Sequence, residues 1–242
     1  IASLRAVSNI VVDFIPKKVL FIQCGGLKRL VHLSQSMESV IRLNALWALK
    51  NLTFLVNNRC KEEILLELST SNMASLITDP EAPVQEQALA LTRNLVDGSL
   101  NSIEYVFGDD GLLLRAIGRL LRLSSTPEVL IQCMYTLSNI ASGNEHHKEA
   151  VMAQLFPHET GKDAENILTK LLQSSNSRLR TAAVWTIINL TFPSSPGTGG
   201  RVTELRNASI VSQLKNMAND PCLDAKLRVR TALGQLMLFG DA

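Results

Sequence analysis

The sequence predicts an all-α fold, a right-handed α-solenoid of three-helix repeats. Three observations carry this prediction. One helical segment recurs six times, its apolar positions follow the period of an α-helix, and aromatic residues make up only 5% of the 242 residues. Apolar residues account for 46% of the chain, chiefly Leu, Ala and Ile, and that mixture favours helix over sheet.

The recurring segment is seven residues long, and its copies align without gaps. They follow one another at intervals of 42 to 50 residues, a period typical of helical repeat proteins. The longest interval contains the polar stretch 157–166, which we interpret as a loop insertion between helices. The copies are residues 4–10, 46–52, 89–95, 134–140, 184–190 and 230–236.

On a helical wheel the segment separates into a core face and an opposite face. With Trp47 as the origin and about 100° per residue, Leu46, Leu49 and Leu52 fall together roughly 200° away and predict the core. Asn51 falls about 40° from Trp47, away from that core. The same position is Asn in five of the six copies. Because Asn disfavours the middle of a helix, its repetition predicts a specific role.

Two roles remain open for these amides, and the third alternative is that their repetition is accidental. They can bridge neighbouring repeats as a ladder of hydrogen bonds, or they can form that ladder and also contact a bound peptide. Basic residues close to the same positions could bind acidic side chains or the terminal carboxylate of an extended peptide. The candidate groove residues are Asn44, Trp47, Lys50, Asn51, Arg93, Asn94, Tyr135, Asn139, Arg178, Trp185 and Asn189.

The domain organisation is predicted to be a single solenoid over residues 1–242. It begins with a partial repeat, residues 1–14, and continues in units of about 42–50 residues. Each unit should contain a short helix, a turn, a second helix, and then the helix with the recurring segment, which we call the anchor helix. The anchor helices are predicted near 37–54, 82–97, 126–142, 176–191 and 223–239.

Composition and motifs argue against several classes of function. A formal net charge of +2 is too small to favour nucleic acid or an anionic membrane as the partner, and no apolar run is long enough to span a bilayer. The four cysteines lie far apart, so we expect neither a metal site nor a cofactor. No catalytic or phosphate-binding motif occurs, so we expect no enzyme and no small-molecule substrate. The loop 193–200 is interpreted as a tolerated insertion, with regulation as the alternative.

The column of Trp and Asn positions resembles the armadillo-repeat family, in which each unit has three helices. For the importin-α branch of that family, the resemblance implies a groove that holds an extended peptide. An adaptor of this kind, binding linear motifs in cargo, is the alternative function. A groove for basic peptides would need carboxylates near the column, whereas the candidate residues are neutral or basic.

A closer resemblance covers the whole chain and is distributed over all repeats. The sequences SNIVVDFIPKK, IRLNALWALKNLTF and AAVWTIINLTF are similar to the C-terminal repeats of the armadillo scaffold subunits of GID/CTLH E3 ubiquitin ligases. The resemblance implies a non-catalytic scaffold whose concave groove recruits a substrate-receptor subunit through that receptor's extended C-terminal segment. It also implies contacts with core subunits of the ligase and a cytoplasmic and nuclear location.

Overall fold

The computed structural model describes residues 1–13, 15–54, 56–97, 100–157 and 166–240. Within these residues the chain forms sixteen α-helices and no β-strand, which confirms the predicted all-α fold class. Most of the insertion predicted at 157–166 lies outside the described residues. In chain order the helices are α1 (Ala2–Asp13), α2 (Ile15–Gln23), α3 (Gly26–Ser34), α4 (Ser39–Leu52), α5 (Asn58–Leu68), α6 (Thr70–Ile77), α7 (Ala82–Leu95), α8 (Leu100–Glu104), α9 (Gly108–Leu123), α10 (Pro127–Ala141), α11 (Glu145–Leu155), α12 (Ile167–Leu172), α13 (Ser177–Leu190), α14 (Thr198–Asn207), α15 (Ile210–Asn216) and α16 (Leu223–Met237).

The helices follow one another in triplets that each end with an anchor helix. The six copies of the recurring segment lie in α1, α4, α7, α10, α13 and α16. The structure divides into two compact units, Ile1–Gln132 and Cys133–Ala242, and the boundary lies within α10. The prediction of one solenoid over residues 1–242 stays a prediction.

The turn between the first two helices of a repeat often needs a left-handed backbone. Gly25 adopts φ 79° before α3, where the absence of a Cβ removes the steric cost. Ser69 adopts φ 49° before α6, and its hydroxyl accepts a hydrogen bond from the Asn72 N–H. This cap satisfies one of the free N–H groups at the start of the helix.

The core face predicted from the wheel is buried. Leu46, Leu49 and Leu52 are each 0% exposed, and the equivalent residues of α7, α10 and α13 are buried as well. Burying one such Leu side chain contributes about 1.5–3 kcal/mol, so this face holds α4, α7, α10 and α13 in place. The opposite face of the helix, with Trp47 and Asn51, is consequently directed away from the core.

Buried lysines close the C-terminal ends of two anchor helices. Lys148 in α11 is 4% exposed and donates hydrogen bonds to the carbonyls of Ala141 at 2.6 Å and Gly143 at 3.0 Å, just after α10. Lys18 in α2 donates to the Asn51 carbonyl of α4 at 3.1 Å. Free carbonyls at a helix C-terminus carry partial negative charge, which stabilises a nearby cation. Burial lowers the pKa of both lysines.

The loop predicted at 193–200 is shorter in the structure, because α14 already begins at Thr198. The Thr198 hydroxyl is fully buried and donates to the carbonyls of Phe192 and Ser195, both at 2.8 Å. Arg201 in the next turn is also buried and pairs with Glu149 of α11 at 2.7 Å. These contacts join the end of the loop to the helices of the second unit.

Candidate functional site

The Asn side chains of the anchor helices form a ladder to the preceding anchor helix. In the first unit, the Asn51 amide donates to the hydroxyl of Ser8 at 2.8 Å and to its carbonyl at 3.2 Å. In the second unit, the Asn189 amide donates to the carbonyl of Ser138 at 2.8 Å and to its hydroxyl at 3.0 Å. One Ser therefore offers two acceptors to the amide nitrogen, and this bridge between anchor helices is present in each unit.

A threonine takes the place of this serine as the partner of Asn94 and of Gln235. The Asn94 amide donates to the Thr53 hydroxyl at 3.4 Å, and the Thr191 hydroxyl donates to the Gln235 side-chain carbonyl at 2.9 Å. In both cases the Thr lies two residues after the Asn of its own helix. The sequence analysis did not identify these Ser and Thr partners. The pattern that could have identified them is a Ser directly before the Asn of the segment, or a Thr two residues after it.

A second row of contacts runs from cations to amides on the next anchor helix. Lys50 Nζ donates to Gln87 Oε1 at 2.7 Å, and a terminal nitrogen of Arg93 donates to Gln132 Oε1 at 3.0 Å. The acceptor in each of these contacts is a neutral amide, so the contact does not neutralise the cation. Burial lowers the pKa of Lys50, and Glu86 opposes that effect.

Asn44 does not belong to the exposed surface, contrary to the prediction. Its side chain is 3% exposed, its amide N–H donates to the Val40 carbonyl at 2.7 Å, and its oxygen accepts from Arg5 Nε at 3.3 Å. Asn44 lies about one turn before Trp47, and the sequence pattern could not show that Arg5 of the preceding repeat contacts it. Asn44 is therefore a structural residue.

The two tryptophans of the column differ in exposure. Trp47 is 39% exposed. Trp185 is half-buried, because Arg228 of the next anchor helix lies over its ring with the guanidinium carbon 4.2 Å from the ring centroid. Asp224 Oδ1 lies 3.4 Å from Arg228 Nε and helps to hold that side chain. Such a cation–π contact contributes about 0.5–1 kcal/mol at a partly exposed site.

The remaining candidate residues are divided between the two units. In the second unit, Tyr135 and Asn139 are half-buried, and Arg178 is exposed in the first turn of α13. The first unit contains Trp47, Lys50, Asn51, Arg93 and Asn94, and the second contains Tyr135, Asn139, Arg178, Trp185 and Asn189.

Sequence reasoning also missed an ion pair that occurs once in each unit. Arg42 Nε lies 2.7 Å from Asp79 Oδ2, and a second nitrogen donates to Oδ1 at 3.0 Å. Arg180 and Asp220 repeat this geometry at 2.7 Å and 2.8 Å. The available signal is an Arg five residues before the Trp, followed about forty residues later by Asp-Pro. The hydrogen bonds from Arg180 hold the pKa of Asp220 below its usual range.

The surface offers amide, aromatic and cationic groups, which is the chemistry of peptide recognition. In the part of the chain that the structure describes, no group of three or more His, Cys, Asp or Glu side chains could hold a metal ion. None of the helices described there is both long enough and apolar enough to cross a bilayer.

Sequence comparisons find one matching family model and relatives that bear two different names. The model of the VID28/GID5 C-terminal domain family matches residues 4–108. Armadillo repeat-containing protein 8 of Danio rerio is 30% identical over 231 residues, which cover 95% of this chain and 33% of that protein. GID complex subunit 5 of Schizosaccharomyces pombe is 22% identical over 274 residues, covering 94% of this chain and 35% of that protein. The chain spans about one third of the length of the curated relatives it matches.

Solved structures agree on the fold. A designed armadillo repeat protein in complex with the peptide (KR)4 superposes with a TM-score of 0.83 at 22% identity, covering 97% of this chain and 92% of that one. At 22% identity, this similarity shows the fold alone. The chain therefore has the armadillo-repeat fold, and armadillo repeat-containing protein 8 and GID complex subunit 5 are its homologues.

Proposed function

We propose that the chain is a non-catalytic scaffold of a GID/CTLH-type ubiquitin ligase whose anchor-helix surface recruits a substrate-receptor subunit. The observation that carries this proposal is the similarity of 95% of the chain to armadillo repeat-containing protein 8 and of 94% to GID complex subunit 5, a protein whose name places it in a GID complex. Core subunits of the ligase are further proposed partners, and a cytoplasmic and nuclear location is proposed with them.

The first unit supplies the groups that an extended segment would need. Trp47 is exposed, and Lys50 and Arg93 each donate a hydrogen bond to a neutral amide. The Asn94 side chain makes long contacts, 3.4 Å to Thr53 and 3.5 Å to Arg93, so it retains capacity for a partner. An extended backbone has unsatisfied N–H and C=O groups, and an amide can bind both kinds.

The proposed ligand is the extended C-terminal segment of the receptor. Its side chains would pack against Trp47, and an acidic side chain or the terminal carboxylate would pair with Lys50 or Arg93. Many modest contacts spread over several residues give specificity for a long segment and still allow the receptor to exchange. The same groups disfavour a basic peptide, because like charges would be brought together.

A binding experiment with a synthetic receptor-tail peptide tests the proposal. Trp47→Ala should weaken binding by about 2 kcal/mol, roughly thirtyfold, if Trp47 is an aromatic anchor. Its melting temperature should change little, because the side chain is 39% exposed. Leu66→Ala is the matched control, since Leu66 is an apolar residue of α5 that is 85% exposed and lies outside the column.

Two outcomes would contradict the proposal. A folded Trp47→Ala protein that binds the tail peptide as tightly as the unsubstituted chain would remove Trp47 from the site. Tighter binding of (KR)4 than of the tail peptide would favour the alternative function, an importin-α-like adaptor for basic linear motifs.

A further inference from the structure

A second surface of the first unit lies between α6 and α9. Side chains of both helices line a cavity of about 460 Å³, and a cavity of about 600 Å³ continues from it toward the start of α7 and the turn after α9. Thr78 and Arg119 line both cavities, so the two form one groove. We call it the α6/α9 groove; none of the residues that line it belongs to the Asn ladder.

Hydroxyl groups line one wall of the groove and guanidinium groups line the other. Ser71 and Ser75 lie one turn apart on α6, and Thr78 follows at the C-cap of that helix. Arg115 and Arg119 lie one turn apart on α9, and both are exposed. Side chains four residues apart share one face of a helix, so each wall presents its polar groups in a row.

The floor of the groove is formed by small side chains, and their small size makes the groove deep. Ala74 of α6 and Ala116 of α9 are 6% and 8% exposed, and both line the cavity. A methyl group at each of these positions leaves the space above the helix contact open. The flanking Ser and Arg side chains therefore reach into an open channel.

The charged residues that line the groove are all basic. Among the described residues that line either cavity, none has a carboxylate. Arg115 donates a hydrogen bond to the Asp110 carbonyl. Arg119 makes no hydrogen bond or ion pair with any described residue, so its guanidinium is available to a ligand. A planar guanidinium binds a carboxylate through two parallel hydrogen bonds.

We propose that the α6/α9 groove binds an extended acidic segment of a partner protein. Arg115 and Arg119 are separated by one helical turn, about 5–6 Å between their Cβ atoms. Alternate side chains of an extended chain lie about 6.6 Å apart, so acidic residues at every second position match the two guanidinium groups. The hydroxyl groups of Ser75 and Thr78 on the opposite wall can then bind the backbone of the segment.

The test uses a fluorescently labelled (Asp-Ser)4 peptide, whose anisotropy is followed at low salt with the whole chain. Arg119→Glu should weaken binding about tenfold or more, because it replaces a charge-assisted hydrogen bond by a repulsion. Arg29→Glu is the matched control: Arg29 is an exposed residue of α3 that lines neither cavity, and the change in net charge is identical. The control should change the affinity less than about twofold.

Equal weakening by the two substitutions would overturn the proposal, because it would reflect net charge alone. Binding of inorganic phosphate at this site without binding of the peptide would also overturn it. Arg119→Gln provides a second variant should the Glu form fold poorly. The receptor-tail experiment is independent: Trp47→Ala should leave the affinity for (Asp-Ser)4 unchanged, and Arg119→Glu should leave the affinity for the tail peptide unchanged.

Discussion

Trp47 in the first unit and Trp185 in the second occupy the same position of the recurring segment, yet Trp47 is exposed whereas Trp185 is half-buried. The difference comes from the next anchor helix. In the first unit, Gln87 of that helix accepts a hydrogen bond from Lys50 and leaves the Trp47 ring uncovered. In the second unit, the equivalent residue is Arg228, and its guanidinium lies 4.2 Å from the centre of the Trp185 ring.

The neighbours of the two tryptophans are otherwise alike. Each has an Asn four residues later that binds a Ser of the preceding anchor helix, and each has an Arg five residues earlier that pairs with an Asp. A repeat can therefore keep its own contacts while one residue of the following repeat decides how much of its Trp ring is covered.

The largest effect is expected from the shared ion pair. Asp220→Ala should cost about 3 kcal/mol or more, because Arg180 would remain buried without a counter-charge. The side chains of Arg180 and Asp220 are 12% and 4% exposed, and those of Arg42 and Asp79 are 14% and 7% exposed. Asp79→Ala should therefore lower the free energy of unfolding by a similar amount. Urea denaturation measures the free energy of unfolding.

Glu63→Ala is the control for that experiment, since the Arg59–Glu63 pair is 87% and 44% exposed and should contribute less than about 1 kcal/mol. A loss for Asp220→Ala no larger than that of the control would show that the buried pair does not hold the repeats together.

The pH dependence of the free energy of unfolding provides a second test of the Arg180–Asp220 ion pair. Arg180 holds the pKa of Asp220 below its usual range. A depressed carboxyl pKa stabilises the folded state above the unfolded value, about 4, and this stabilisation is lost as the pH falls toward the folded value. Asp220→Asn should therefore show a smaller loss of stability than the unsubstituted chain when the pH is lowered below about 4. Parallel acid-dependence curves for the two proteins would contradict this assignment.

The Asn ladder should give an intermediate effect that is similar in both units. Asn51→Ala and Asn189→Ala each remove two hydrogen bonds to a Ser and should cost about 1–2 kcal/mol. Asn9→Ala is the matched control, because Asn9 occupies the same position and is exposed. Losses as small as that of the control would mean that the ladder does not stabilise the fold.

The smallest effect concerns the residue that distinguishes the two units. A double-mutant cycle of Trp185→Ala and Arg228→Ala should give a coupling energy of about 0.5–1 kcal/mol, since the cation lies over the ring. The same cycle with Trp47→Ala and Gln87→Ala should give about zero, because Gln87 binds Lys50 instead. Equal couplings in the two cycles would remove the proposed difference between the units.

The sequence by itself determined the helices and the face that each anchor helix buries. Leu46, Leu49 and Leu52 recur with the period of the helix, and burial of apolar surface is decided by that local pattern. The exposed position of Trp47 follows from the same wheel. Of the candidate site, the amide column and its cations could therefore be found without a structure, although their roles as binding residues stay a prediction.

Only the tertiary structure decided which of those side chains a neighbouring repeat covers. Arg5 covers Asn44, and Arg228 covers Trp185, in contacts between residues about forty positions apart. The ion pair of Arg42 and Asp79 joins residues 37 positions apart. A helical period reports which face of its own helix a residue occupies, and it carries no information about the side chain that a neighbouring repeat places over that face.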